Sequence, residues 1–276
     1  VVGDVNSTLA CAITAKKLNI RVAHLEAGLR SGDRTMPEEI NRIVTDSISD
    51  LLWAPSADAV ANLKREGVAD ESIELVGNIM IDSLEMVRDR ISSAASSVGL
   101  PEAFADRYGV VTFHRPANVD DQEALGRLVE ALRGAAEVIP LIFPLHPRTR
   151  HRLECFGLKD RLTGSGRIHV LEPMGYVDFL GLVSRARVAI TDSGGLQEET
   201  THLEIPCLTL RDNTERPTTI TEGTNRLVRL ETLKTALAEA LREPRETRRI
   251  PYWDGRTAER TVAGLARAAK RMAVAA

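Results

Sequence analysis

The feature that most constrains this chain is an alternation of short apolar runs with longer amphipathic stretches, sustained along its length. Strand-like runs fall at Val1 to Gly3, Arg21 to His24, Leu51 to Ala54, Ile73 to Val76, Val110 to Phe113, Leu141 to Leu145, Ile168 to Leu171, Val188 to Ile190 and Cys207 to Leu210. Helical stretches lie between them. Asn6 or Ser7 is placed to cap a helix reaching about Lys17, and Ser56 to cap a short helix closed by Gly67. Pro37 sits where a first helical residue is expected, with Ile40, Ile43, Val44, Ile48 and Leu51 marking one apolar face. Leu125, Leu128, Val129 and Leu132 mark the face of another helix, Gln122 to Ala136. A β-α-β-α order of this kind demands parallel sheets joined by right-handed crossovers, so the fold class is α/β.

A shift in composition divides the pattern. Ser92 to Ser97 is small and polar and is followed by Gly99 and Pro101, so residues 92–101 read as a linker. Residues 1–91 then form one domain and 102–256 a second with its own set of strands, and an Ala- and Arg-rich helix closes the chain over 257–276. The chain opens on Val, without Met, directly in a strand-like run, and upstream sequence is expected to be missing.

Composition excludes several function classes. A formal net charge of -3 lacks the basic surplus that phosphate backbones require, so nucleic acid is not an expected partner. No apolar run approaches the roughly 20 residues that cross a bilayer. Cys11, Cys155 and Cys207 are far apart and show no metal-ligand spacing, which points to a reducing cytoplasm and to no metal site.

In open parallel sheets, ligands bind beyond the carboxyl ends of the strands. The polar residues gather there: Asp4, Glu26, His114 with Arg115, His146 with Arg148, Asp192-Ser193-Gly194-Gly195 and Arg211 each follow a strand. Ser193-Gly194-Gly195 joins a strand to a helix bearing Glu199 and suits a diphosphate, with Glu199 placed for ribose hydroxyls; an ordinary strand-to-helix turn capped by Ser explains the same letters. Arg216 is either a phosphate or base contact or part of a solvated loop. His114-Arg115-Pro116 is either a basic pair held at a strand end by proline, or a core histidine beside a surface arginine. The stretch from Glu26 to Arg42, with Arg30, Asp33, Arg34, Glu38 and Glu39, is either a charged surface loop or an acidic site entered through the tight turn at Ala27-Gly28.

Taken together these segments resemble one family. Gly3-Asp4-Val5-Asn6-Ser7-Thr8, His24-Leu25-Glu26-Ala27-Gly28-Leu29-Arg30 and Pro37-Glu38-Glu39-Ile40-Asn41-Arg42 are similar to the N-domain motifs of UDP-N-acetylglucosamine 2-epimerases. Thr112-Phe113-His114-Arg115-Pro116, Thr191 to Glu199 and Arg211 to Pro217 are similar to their C-domain motifs, in the same order. One departure is Arg229, which follows Val228 where members often carry Gly. The resemblance implies a GT-B-like fold, two Rossmann-like domains with parallel sheets facing a central cleft, and a last helix returning to the first domain. It implies reversible C2 epimerisation of UDP-GlcNAc to UDP-ManNAc, by elimination of UDP to 2-acetamidoglucal and re-addition, for surface polysaccharide precursors. No cofactor is implied, and a homodimer is. Asp4, Glu26 and Glu38 match the family's acidic catalytic positions and His114 its active-site histidine. Phe179 matches a residue beside the uracil, Met174 a backbone contact to the base, and Ser193, Gly194, Gly195, Glu199 and Arg216 the UDP-binding set. The competing readings are a hydrolysing relative that releases ManNAc and UDP, a UDP-diacetamido-sugar 2-epimerase, a GT-B glycosyltransferase on the shared fold, and an inactive sugar-nucleotide-binding fragment.

Overall fold

The computed structural model describes residues 1–97, 100, 101, 104, 107–242 and 249–275. In chain order it contains α1 (Asn6–Lys17), β1 (Ala23–Leu25), α2 (Pro37–Ile48), β2 (Leu51–Ala54), α3 (Ala57–Arg65), β3 (Ile73–Leu75), α4 (Ile79–Met86), α5 (Arg88–Ser97), β4 (Gly109–Thr112), α6 (Pro116–Val119) and α7 (Gln122–Ala136). There follow β5 (Leu141–Pro144), α8 (Pro147–Cys155), α9 (Lys159–Thr163), β6 (Ile168–Leu171), α10 (Tyr176–Ser184), β7 (Val188–Thr191), α11 (Gly194–His202), β8 (Cys207–Thr209), α12 (Thr218–Thr221), β9 (Asn225–Leu227), α13 (Leu233–Ala240) and α14 (Thr257–Ala275). These form two compact units. Unit 1 is Val1–Met86 with Thr214–Thr221 and Arg249–Ala276; unit 2 is Val87–Asn213 with Glu222–Arg248.

Unit 2 is built on an all-parallel sheet of order β6-β5-β4-β7-β8-β9. The chain starts in the middle, builds outward through β5 and β6, then returns to the other side of β4, which is the doubly wound Rossmann order with its switch point between β4 and β7. Strand side chains alternate between the two faces, so both faces must be apolar. Val111, Phe113, Leu141, Phe143, Val188 and Ile190 enter one core with the inward face of α7. Val110, Ile142, Ala189 and Cys207 enter the opposite core with Tyr108, Leu182 and Ile205.

Unit 1 holds a smaller parallel sheet, β1-β2-β3. The expected strand at Val1 to Gly3 adds only a single bridge, Val2 to Leu25. Its apolar clusters are small: Leu25, Trp53 and Val76 form one, and Ala27, Leu52 and Leu63 another. Helix α14 is anchored in this unit. The Asp82 carboxylate accepts the Thr257 and Ala258 N–H groups at 3.0 and 2.7 Å, which satisfies two of the otherwise orphaned donors at the helix start.

Four local expectations change. Val5, not Asn6 or Ser7, is the cap position of α1, and the Asn6 side chain instead accepts from Asn41 at 3.0 Å. Residues 92–97, expected as linker, continue helix α5, because Ser and Ala tolerate a helix once Arg88–Ile91 has started it; Gly99 lies outside the described residues. Strand β9 was not expected, since Asn225-Arg226-Leu227 is only three residues long and mostly polar. In α2 the buried residues are Glu39, Asn41, Arg42, Thr45 and Asp46, whereas Ile40 is 41% exposed. Of the expected aliphatic face, Ile43, Val44, Ile48 and Leu51 are only half-buried, so the deepest burial falls on the polar face instead. Among the described residues, no helix is long and apolar enough to cross a membrane.

Candidate functional site

The polar face of α2 explains how unit 1 holds its acidic residues. Arg42 is almost wholly buried and carries two carboxylates: its Nη1 pairs with Asp4, and its Nε and Nη2 reach Glu39 Oε2 at 3.0 and 2.6 Å. Glu39 also accepts the Ser31 and Gly32 N–H groups at 2.9 and 2.8 Å. Burial pushes the Glu39 carboxyl up, but those N–H groups and Arg42 outweigh it and hold it below the usual range. Asn41 donates to the Asp4 backbone carbonyl at 2.8 Å, so α2 grips Asp4 by both side chain and main chain. Glu38 precedes Glu39 in the first turn of α2 and is exposed.

Glu26 follows β1 with φ at +71°, the left-handed region that costs a non-glycine residue about 1–3 kcal/mol. The surrounding bonds hold it there. Ala27 N–H donates to the Trp53 carbonyl at 3.1 Å and Gly28 N–H to Asp46 Oδ2 at 3.0 Å. Gly28, at φ +85°, has room for no side chain, since a Cβ would stand 2.4 Å from the Ala59 carbonyl oxygen. The Glu26 carboxylate lies over Gly3, its Oε2 3.4 Å from where a Cβ on that residue would be. Asp4 and Glu26 are thus brought together at adjoining strand ends, each fixed by its neighbours. Beneath them His24, wholly buried, places Nδ1 2.6 Å from Asp46 Oδ1 and Nε2 3.0 Å from the Gly3 carbonyl oxygen.

In unit 2 the residues gather at the switch point. His114 follows β4, and Asp192 and Ser193 follow β7, its neighbour across that point. Asp192 is fully buried and accepts the Arg115 N–H and Asn118 Nδ2 at 2.9 Å each, while His114 Nδ1 stands 3.1 Å away. Burial raises the Asp192 carboxyl, but His114, Asn118 and the Arg115 N–H more than offset it and hold it below the usual range. Its role is to fix the His-Arg-Pro turn. The His114 side chain is left 39% exposed beside the His146 ring, 5.5 Å between centroids. Burial, then His114 and Arg148, lowers the His146 ring, which favours its neutral form.

Ser193 is the cap residue of α11, yet its hydroxyl does not bond back to the helix, and its N–H donates to Thr191 Oγ1 at 2.9 Å. The first turn of α11, from Gly194 and Gly195, therefore presents main-chain N–H groups and the positive end of the helix dipole without a side-chain cap. Glu199 lies further along the same helix, and burial pushes its carboxyl up to about 7, with the Tyr176 hydroxyl bonded to it. Met174 and Phe179 are half-buried against the core that holds Phe104 and Tyr108. Arg216 belongs to the segment of unit 1 at Thr214–Thr221, where it pairs with Glu215 and its N–H donates to Thr214 Oγ1 at 3.1 Å. Among the described residues, no cluster of three or more His, Cys, Asp or Glu could hold a metal ion.

Sequence patterns did not single out Asn41, Asp46, Asn118 or Tyr176. Asn41 lay within the quoted Pro37 to Arg42 motif and Asn118 two residues past the His114-Arg115-Pro116 turn, where a polar side chain inside a charged motif is a usable signal. Asp46 carried none, because its partner His24 is 22 residues away.

The chain matches the family model described as UDP-N-acetylglucosamine 2-epimerase over residues 1–266. It is 43% identical over 272 residues to the UDP-N-acetylglucosamine 2-epimerase of Methanocaldococcus jannaschii, covering 95% of this chain and 73% of that protein. It is 44% identical over 231 residues to the UDP-2,3-diacetamido-2,3-dideoxy-D-glucuronate 2-epimerase of Pseudomonas aeruginosa, covering 83% of this chain and 62% of the relative. The crystal structure of the M. jannaschii enzyme in complex with UDP-GlcNAc and UDP superposes with a TM-score of 0.86, over 96% of this chain and 74% of that one.

Proposed function

This chain belongs to the UDP-N-acetylglucosamine 2-epimerase family, and on that premise we propose that it interconverts UDP-GlcNAc and UDP-ManNAc by inversion at C2. The observation that carries the reading is the pair Asp4 and Glu26 at adjoining strand ends, the Asp4 carboxylate held by a buried arginine and the Glu26 carboxylate lying over Gly3 from a constrained left-handed backbone. Proton transfer at a carbon next to the anomeric centre needs such groups held still. The C2 proton is weakly acidic, so its removal is coupled to cleavage of the C1–O bond, with the electron pair leaving on the UDP oxygen. The products of that step are 2-acetamidoglucal and UDP. Re-addition of UDP with protonation from the opposite face completes the inversion.

Asp4, Glu26 and Glu38 are assigned to proton transfer. His114 serves the sugar and diphosphate. The uncapped start of α11 at Ser193, Gly194 and Gly195 receives the leaving diphosphate, where N–H groups and the helix dipole stabilise developing charge. Arg216 adds a cation, Glu199 takes the ribose hydroxyls, and Phe179 with the Met174 backbone takes the uracil. A cytoplasmic homodimer of this chain completes the reading. A UDP-diacetamido-sugar substrate is the second reading, supported by the 44% identity to the P. aeruginosa relative.

Proton NMR of UDP-GlcNAc with the protein in heavy water tests the proposal. Deuterium at C2 together with UDP-ManNAc is the expected result. Free ManNAc would replace it with the hydrolysing reaction, and turnover only of the diacetamido sugar would favour the second reading. Binding of UDP without any exchange at C2 would overturn both.

A further inference from the structure

We propose that His24 is a positioning residue for the acidic half of the site, a ring that donates from both nitrogens and so ties the Gly3-Asp4 turn to the turn that follows Glu26. The proposal rests on the epimerase reading, because it explains how Asp4 and Glu26 are kept in register for proton transfer.

The partners define the ring. Nε2 lies 3.0 Å from the Gly3 carbonyl oxygen, which can only accept, so Nε2 carries a hydrogen. Nδ1 lies 2.6 Å from Asp46 Oδ1. The other oxygen of Asp46 receives the Gly28 N–H at 3.0 Å and the Arg30 guanidinium at 2.8 Å, which is the arrangement of an ionised carboxylate serving several donors. A ring with hydrogen on Nε2 alone would point the Nδ1 lone pair at that carboxylate at 2.6 Å. The Arg30 guanidinium on the same carboxylate favours its ionised form over an Asp46 O–H donating to Nδ1, and with that form both nitrogens donate. At a wholly buried position, such a rigid double donor satisfies an acceptor at each end without conformational freedom.

The need for this tie follows from the sheet. Residues 1–3 pair with β1 through the Leu25 N–H on the Val1 carbonyl at 3.0 Å and the Gly3 N–H on the Leu25 carbonyl at 3.1 Å, and the Gly3 carbonyl, where that pairing ends before Asp4, is the acceptor that His24 takes. His24 fixes the Gly3 carbonyl from below, while Asn41 fixes the next carbonyl, that of Asp4, from α2. Through Asp46, the same ring is joined to the Gly28 N–H, and hence to the turn that holds Glu26 left-handed.

His24→Asn and His24→Gln separate the two contacts. Asn places its amide near the Nδ1 position and retains Asp46; Gln extends toward the Nε2 position and retains Gly3. Proton NMR of the full chain is expected to show two slowly exchanging ring N–H protons on one histidine, both lost in each variant; a single ring N–H on His24 would overturn the proposal. Hydrogen–deuterium exchange is expected to accelerate over residues 1–9 in His24→Asn and over 27–30 in His24→Gln. With UDP-GlcNAc, His24→Asn is expected to lower kcat about 10- to 100-fold at unchanged KM, the signature of a displaced group rather than a lost binding contact. Wild-type exchange protection and wild-type kcat in His24→Asn would overturn it. If the unaltered chain itself fails to exchange the C2 proton, the epimerase reading falls, while the ring protons and exchange protection still decide whether His24 holds both turns.

Discussion

Helices α2 and α7 bury opposite kinds of residue. Helix α7 turns Leu125, Leu128, Val129 and Leu132 into the large core of unit 2. Helix α2 turns Glu39, Asn41, Arg42, Thr45 and Asp46 inward and leaves Ile40 exposed. The first arrangement is what hydrophobic burial produces unaided. The second is costly unless the buried groups find partners, and those partners are the turns bearing Asp4 and Glu26. The contrast teaches that unit 2 is organised by its core, and that the inner face of α2 is organised by the residues it must hold.

Removing one member of the polar face should be the most damaging change. Arg42→Met leaves the Glu39 carboxylate buried without its cation, and a loss of about 3–5 kcal/mol is expected from urea unfolding. Replacing Glu39 and Arg42 together by Leu is expected to restore most of that stability, since a buried ion pair rarely outperforms apolar packing. If the double variant is as unstable as the single one, the polar face is structural and the comparison fails. Leu132→Ala in α7 should cost about 2–5 kcal/mol through the cavity it opens, with C2 exchange per folded molecule unchanged.

Glu199 gives a pH-dependent test within unit 2. Its folded carboxyl is raised to about 7 by burial, so below its unfolded value both states hold the proton and it contributes nothing. As pH rises from about 4.5 to 7 the unfolded chain releases that proton first, and stability falls. Glu199→Gln is therefore expected to stabilise the protein at pH 8, by no more than about 3 kcal/mol, and to leave stability unchanged at pH 4. Thermal unfolding at the two pH values checks this; equal effects at both would contradict it. The smallest effect is expected at Ile40, where Ile40→Ser should change stability by less than about 0.5 kcal/mol because the side chain already faces solvent.

The same contrast explains what could be read from the sequence. Strands β2 and β6 fall at the expected residues, and β4, β5, β7 and β8 within one or two, because buried parallel strands are apolar on both faces and stand out as continuous runs. The inward face of α7 was legible for the same reason. In α2, periodicity gave the helix and Pro37 its start, but the aliphatic stripe marked a half-buried face and missed the more deeply buried polar one, since no apolar pattern records a helix that buries its charges. Asp4, Glu26 and the Asp192-Ser193-Gly194-Gly195 turn were legible as polar strand ends. The roles of Asp46 and the His24 ring beneath them were not, because hydrogen bonds between residues 18 or more apart leave no local signature.

The central claim is that α2 buries charge in order to hold Asp4 and Glu26 for proton transfer at C2. The most direct test is the rate of deuterium incorporation at C2 of UDP-GlcNAc in heavy water, compared between the unaltered chain and the folded Glu39→Leu, Arg42→Leu double variant. A loss of at least about 100-fold in a variant of near-native stability is predicted. Incorporation at the unaltered rate in that folded variant would contradict the account.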